Sequence, residues 1–214
     1  MAETLLWVLQ LVPTATALLM LATRDRRILS TLDVAGSAVL FVLALIIITR
    51  GGWKLVKTVT AFTVSHSITL TLATLGYVHI PQNPVEAAIA LSIVFVAAEI
   101  LRDRQGRVGI TARAPWIVAF LFGLMHGLGF AGGLSEAGLP DGHIPTALLF
   151  FSIGVEAGHF LFIGFVLSLI ALLYRAASRL APINQQRSAI IPLLPPYAIG
   201  SVAMFWVIQR IAAF

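Results

Sequence analysis

The stretch PWIVAFLFGLMHGLGFAGG, residues 115–133, decides the fold. It contains no Asp, Glu, Lys or Arg, yet it carries one histidine, His126, among five glycines. About 20 apolar residues in a helix cross a hydrocarbon core of ~30 Å, so this segment has the length of a membrane span. Backbone N–H and C=O groups cannot be left bare in lipid, which makes the span helical.

The rest of the chain agrees. It has 214 residues, 59% hydrophobic and 11% charged, with a mean hydropathy of +0.97. A soluble domain carries roughly 25% charged residues, and here the few charges gather between apolar runs. Seven spans are predicted, at approximately 5–22, 32–49, 58–78, 85–101, 115–133, 145–174 and 189–211. Turn chemistry marks the breaks at Arg50-Gly51-Gly52, Pro81-Gln82-Asn83-Pro84, Arg104-Gln105-Gly106-Arg107 and Leu139-Pro140-Asp141-Gly142. The expectation is an all-α, polytopic helical membrane protein forming one domain over residues 1–214.

Lys and Arg in short loops set orientation. Loops after the second, fourth and sixth spans hold ten: Arg50, Lys54, Lys57, Arg102, Arg104, Arg107, Arg113, Arg175, Arg179 and Arg187. The opposite loops hold Arg24, Arg26 and Arg27. The count predicts a cytoplasmic N-terminus and an external C-terminus. The first apolar run follows Met-Ala-Glu-Thr, with an acid where a signal peptide would be positive, and reads as a retained helix. The isoelectric point near 10.4 then reflects topology and anionic lipid headgroups. No basic stripe interleaved with aromatics is present, which argues against nucleic acid as a partner. The absence of cysteine excludes disulfides, thiolate catalysis and Cys-based metal sites, and points to nitrogen and oxygen as ligands.

Ionisable residues inside spans are costly and mark bundle interiors or water-filled cavities. The candidates are His66 in the third span, Glu99 in the fourth, His126 in the fifth, and Glu156 with His159 in the sixth. Glu156 and His159, three apart, share a helix face. At ~1.5 Å per residue, His66 lies about 12 Å and His126 about 16 Å from the inner ends of their spans. Glu156 and His159 fall mid-span, and Glu99 is shallower, at a possible cytoplasmic entrance. Gly123 and Gly127 form GxxxG around His126, and Gly154 and Gly158 do so around Glu156. Such pairs let helix backbones approach closely, and they predict that spans five and six pack together. His66 to Glu99 and His126 to His159 are both 33 residues apart, a weak internal repeat.

The blocks TAFTVSHSITLTLATLG (60–76), NPVEAAIALSIVFVAAEILR (83–102), FGLMHGLGFAGGLSEAGLP (122–140) and FSIGVEAGHF (151–160) resemble the HupE/UreJ membrane proteins. The resemblance covers spans two to six, with the blocks in the family's order. It implies a multi-pass protein of the bacterial cytoplasmic (inner) membrane and uptake of nickel or cobalt. The family's His-x5-Asp-His signature is missing, because Thr31, Ser37 and Ala38 stand at those positions. Where the family has glutamine, this chain has His159.

Together these readings give a metal-binding permease, more transporter than enzyme. His66, His126, Glu156 and His159 are the expected ligands, and Glu99 is expected to line the entrance or to support the ligands from behind. Nitrogen and carboxylate oxygen suit nickel or cobalt, and also zinc or iron. Two alternatives stand beside it. One is an intramembrane metal hydrolase, for which HExxH is absent and ExxH at 156–159 is the nearest feature. The other is a non-catalytic subunit of a larger membrane complex; a homo-oligomer is also compatible. Reporter fusions at Gln105 and at Phe214 should lie on opposite sides of the membrane. If both report the cytoplasm, the span count is wrong.

Overall fold

The computed structural model describes residues 36, 39–49, 51–137, 143–180 and 194–212. All regular structure among them is helical: α1 (Val39–Ile48), α2 (Gly52–Thr74), α3 (Gln82–Arg104), α4 (Ile110–Arg113), α5 (Pro115–Ala137), α6 (Ile144–Leu180) and α7 (Leu194–Ile211). The expected span at 5–22 lies outside the described residues. Gln82–Arg104 and Ile144–Leu172 are long and apolar enough to cross a membrane by length and composition.

Helices α2, α3 and α6 run past the expected spans into charged segments read as loop. α2 already begins at Gly52, because its first turns are amphipathic. Leu55, Thr58 and Val59 face inward while Lys54 and Lys57 stay exposed, with Lys57 Nζ 4.3 Å above the Trp116 ring. Such long cationic side chains can ride at a helix end without ending the helix. Glycine decides where α2 and α3 stop. Gly76 adopts φ 80°, and the N–H groups of Gly76 and Tyr77 return to the carbonyls of Ala73 (3.1 Å) and Leu72 (2.9 Å). Gly106, at φ 78°, closes α3 in the same way. Both are left-handed caps that a side chain would strain. The short helix α4 was not foreseen.

Helix α1 forms the centre. Leu40, Phe41, Val42, Leu43, Ala44 and Leu45 are all buried, as expected of a helix that is apolar on every side. Around it lie Phe62 of α2, Ile93, Val96 and Ile100 of α3, Ala119 of α5, and Ile199, Ala203 and Trp206 of α7. Helix α7 runs antiparallel to α3, and Arg210 Nε donates to Glu86 Oε2 at 2.6 Å where α7 ends and α3 begins. Helix α6 is antiparallel to α2. Leu148 near its start meets Leu70 and Ala131, and Ile163 further along meets Val42, Leu55 and Val59.

The glycine reading needs correcting. Gly123 and Gly127 do permit a close crossing, but with α2 rather than α6. A Cβ on Gly123 would collide with Ser65 Oγ and the Phe62 carbonyl, and one on Gly127 with the His66 carbonyl and Thr69 Oγ1. The offset between partners is the same at both glycines, so α2 and α5 lie parallel with backbones in contact. Gly154 and Gly158 meet no described atom within 4 Å. GxxxG reports that a face is small without saying what lies against it. Gly123→Leu and Gly127→Leu should each cost about 2–3 kcal/mol or more through overpacking. Gly158→Leu should stay within ~0.5 kcal/mol. Unfolding in detergent, followed by tryptophan fluorescence, checks this; equal tolerance at the three sites would remove the close-crossing account.

Candidate functional site

The α2–α5 crossing places His66 and His126 side by side, both almost fully buried at 2% and 1% exposure. Helix α6 brings His159 and Glu156 to the same level. The Phe62 ring stands at the centre. Its centroid lies 5.9 Å from that of His66, 5.1 Å from His126 and 5.7 Å from His159. Phe41 of the central helix backs His126 at 5.2 Å, and Phe130 backs His66 at 5.1 Å. Three imidazoles from three helices thus surround one phenyl ring.

Hydrogen bonds fix some of these donors and leave others bare. The His126 Nδ1–H donates to the Phe122 carbonyl at 2.8 Å. That bond sets the tautomer and turns Nε2, with its lone pair, away from the helix backbone. His126 Nε2, both ring nitrogens of His66 and Glu156 Oε2 are buried without a hydrogen-bond partner among the described residues. At the crossing of α2 and α6 the Thr60 hydroxyl donates to Glu156 Oε1 at 2.7 Å. One turn on, Thr63 Oγ1 lies 3.2 Å from His159 Nδ1. These two bonds anchor α6 to α2 at the level of the imidazoles.

Of the residues expected to form the site, His66, His126, His159 and Glu156 are brought into one neighbourhood. Glu99 is not with them. It is buried at the end of α3, where Oε2 accepts the Thr111 backbone N–H at 3.1 Å and Oε1 lies 3.4 Å from Arg102 Nη1. Gly109 packs so closely on this carboxylate that a Cβ would overlap it. Glu99 therefore caps α4 and holds the 105–114 connection against the bundle. The matched spacings of 33 residues do not give equivalent pairs, since His126 and His159 share Phe62 while Glu99 engages Thr111. Thr31, Ser37 and Ala38, at the signature positions, lie outside the described residues.

Among the described residues, no three His, Asp or Glu side chains converge in a geometry that could hold a metal ion. The donor types nonetheless fit a borderline divalent ion, and the buried lone pairs are those that such an ion would satisfy. Sequence reading missed Phe62, Thr60 and Thr63. The threonines carried a signal in their spacing, because Thr60, Thr63, Ser67 and Thr71 fall on one face of a 3.6-residue helix.

Two described helices are long and apolar enough to cross a membrane, and helices packed through glycine enclose imidazole and carboxylate groups at mid-length. The chain belongs to the HupE / UreJ protein family, whose model matches residues 34–210 and so spans every residue of this cluster. That is a family of membrane proteins of the nickel/cobalt permease type. No curated protein and no solved structure matches the chain.

The inter-helix bonds generate a direct test. In a double-mutant cycle of Thr60→Val and Glu156→Leu, unfolding should show a coupling of about 0.6 kcal/mol and at most ~1.7 kcal/mol, the mean and upper limit for such bonds between membrane helices. Strict additivity would mean that the hydroxyl and carboxylate do not meet.

Proposed function

We propose that the protein is a permease for a divalent transition-metal ion of the nickel/cobalt class. In this reading it crosses the bacterial inner membrane seven times, with the N-terminus cytoplasmic and the C-terminus external. His66, His126, His159 and Glu156 are transient ligands to the ion, and Glu99 borders the cytoplasmic mouth.

The observation that carries the reading is the set of three imidazoles around Phe62, with bare nitrogens on His66 and His126. A buried polar group without a partner costs about 1–3 kcal/mol. An ion held by these nitrogens would repay that cost. Transport requires ligands weak enough to release the ion. A ligand set kept apart by a phenyl ring, which assembles only when Phe62 shifts, meets that requirement better than a closed structural site. The donors are nitrogen and one carboxylate, so the ion need not be stripped by sulfur, in accord with the absence of cysteine. Family membership supplies the substrate class.

Imidazole ligates only when neutral, with an unperturbed pKa of about 6.5, and protons compete with metal for it. Binding must therefore weaken once the imidazoles take up protons. Purified protein incubated with cobalt or nickel should retain stoichiometric metal. His126→Ala should cost about 10–100-fold or more in affinity, since even outer-shell changes cost that much. His79→Ala and His143→Ala, at exposed positions outside the helices, should leave binding unchanged. Folded protein that stays metal-free with nickel, cobalt, zinc and iron would overturn the reading.

A further inference from the structure

One apolar ring sits where the imidazoles of three helices come together. Phe62 stands one turn before His66 on α2, so the two share a helix face. Its centroid is 5.9 Å from that of His66, 5.1 Å from His126 and 5.7 Å from His159. These distances are ordinary for packed aromatic rings, and they are too long for a shared ion. A ligating imidazole nitrogen lies about 2.1 Å from the metal, which puts its ring centre only ~3 Å away. For an ion at the place of the phenyl ring, each imidazole would have to approach by about 2–3 Å. The space into which they would close is filled with carbon.

The ring packs on Phe41 at 4.9 Å and belongs to the core around α1, so core filling is its plain explanation. That explanation does not cover what the ring leaves bare. Both nitrogens of His66 and Nε2 of His126 are buried without a hydrogen-bond partner among the described residues. A phenyl, with no donor or acceptor, keeps them so, and buried polar groups without partners are costly. The backbone beneath the ring is fixed: the Phe62 carbonyl accepts the Ser65 hydroxyl at 2.9 Å and lies against Gly123. Phe41 and His126, with centroids 5.2 Å apart, close the side toward α1 and α5. The ring can therefore leave the cluster only by turning about its own side-chain bonds, away from those two.

We infer that Phe62 is the gate that sets how tightly the imidazole cluster holds a divalent ion. With the ring between them, His66, His126 and His159 stay apart; with the ring turned out, they can close on one ion. A site that is competent only part of the time has its affinity reduced by that fraction. Binding displaces the ring from its packing on Phe41, and release restores it. Passage of an ion requires weakened binding of this kind. The gate rests on the imidazole site proposed above, and it adds to that site a residue with no ligand atom.

Phe62→Leu and Phe62→Ala shorten the side chain in two steps. The full chain in detergent would be titrated with cobalt(II) by calorimetry, and release of bound cobalt into a chelator followed by stopped flow. Both variants should bind cobalt at least about tenfold more tightly than the wild type and release it at least about tenfold more slowly, since the closed ligand set no longer competes with the ring. A ring that only fills the core predicts the opposite sign, because truncation leaves a cavity and loosens the packing around the imidazoles. Adding His126→Ala to Phe62→Leu should abolish the gain. Thermal unfolding verifies that each variant is folded; if Phe62→Ala is not, Phe62→Leu, which keeps more of the volume, carries the comparison. Variants that bind no more tightly than a cobalt-binding wild type would overturn the gate and leave the imidazole site standing. A gain that survives His126→Ala would overturn the gate as well. Wild type and variants that all bind no cobalt would overturn the site and the gate together.

Discussion

The close crossing of α5 on α2 sets the position of everything else in this molecule. Gly123 and Gly127 have no side chains to hold the backbones apart, so the Phe62 and His66 carbonyls rest against α5 directly. Lipid gives little hydrophobic force between helices, and such contacts act through van der Waals packing over the length of the crossing. One consequence is that His66 and His126 are brought to the same level. Another is that Phe62, squeezed between α1 and α5, points into the space that the imidazoles border. The third helix then needs its own anchor. Helix α6 takes it from Thr60 and Thr63, which bind Glu156 and His159 rather than glycine.

The polar groups divide into two kinds by what they do. Glu86 with Arg210, and Glu99 with the Thr111 backbone, are satisfied at helix ends and tie elements together. The cluster around Phe62 is different because four of its donor atoms remain bare in the interior. Membrane proteins rarely leave such groups unpaired without a use for them. On the proposed reading this arrangement would suit an ion held briefly, because an aromatic ring stands among the imidazoles.

Much of this was legible in the sequence, and the parts that were not have physical reasons. The absence of charge over residues 115–133, repeated in segments along the chain, determined the helical class. Depth arithmetic placed His66 and His126 at comparable levels, and the structure sets them against a common ring. The glycine pairs announced a close approach but could not name its partner, because GxxxG describes one surface only. Depth placed Glu99 near the end of its helix but could not name its partner. Its bond to Thr111 depends on a turn at Gly106 and a short helix that no periodicity signals. The threonines of α2 passed as ordinary membrane-helix residues, since a hydroxyl can always bond its own backbone, as Ser67 does to the Thr63 carbonyl.

The central claim is that the imidazoles around Phe62 take a divalent ion as direct ligands. X-ray absorption at the cobalt edge of purified, cobalt-loaded protein reads those ligands without requiring transport. The account predicts a first shell with imidazole nitrogen from at least two histidines, its signature reduced in His126→Ala and in His66→Ala. A shell of water and carboxylate oxygen alone, unchanged by either substitution, would contradict it.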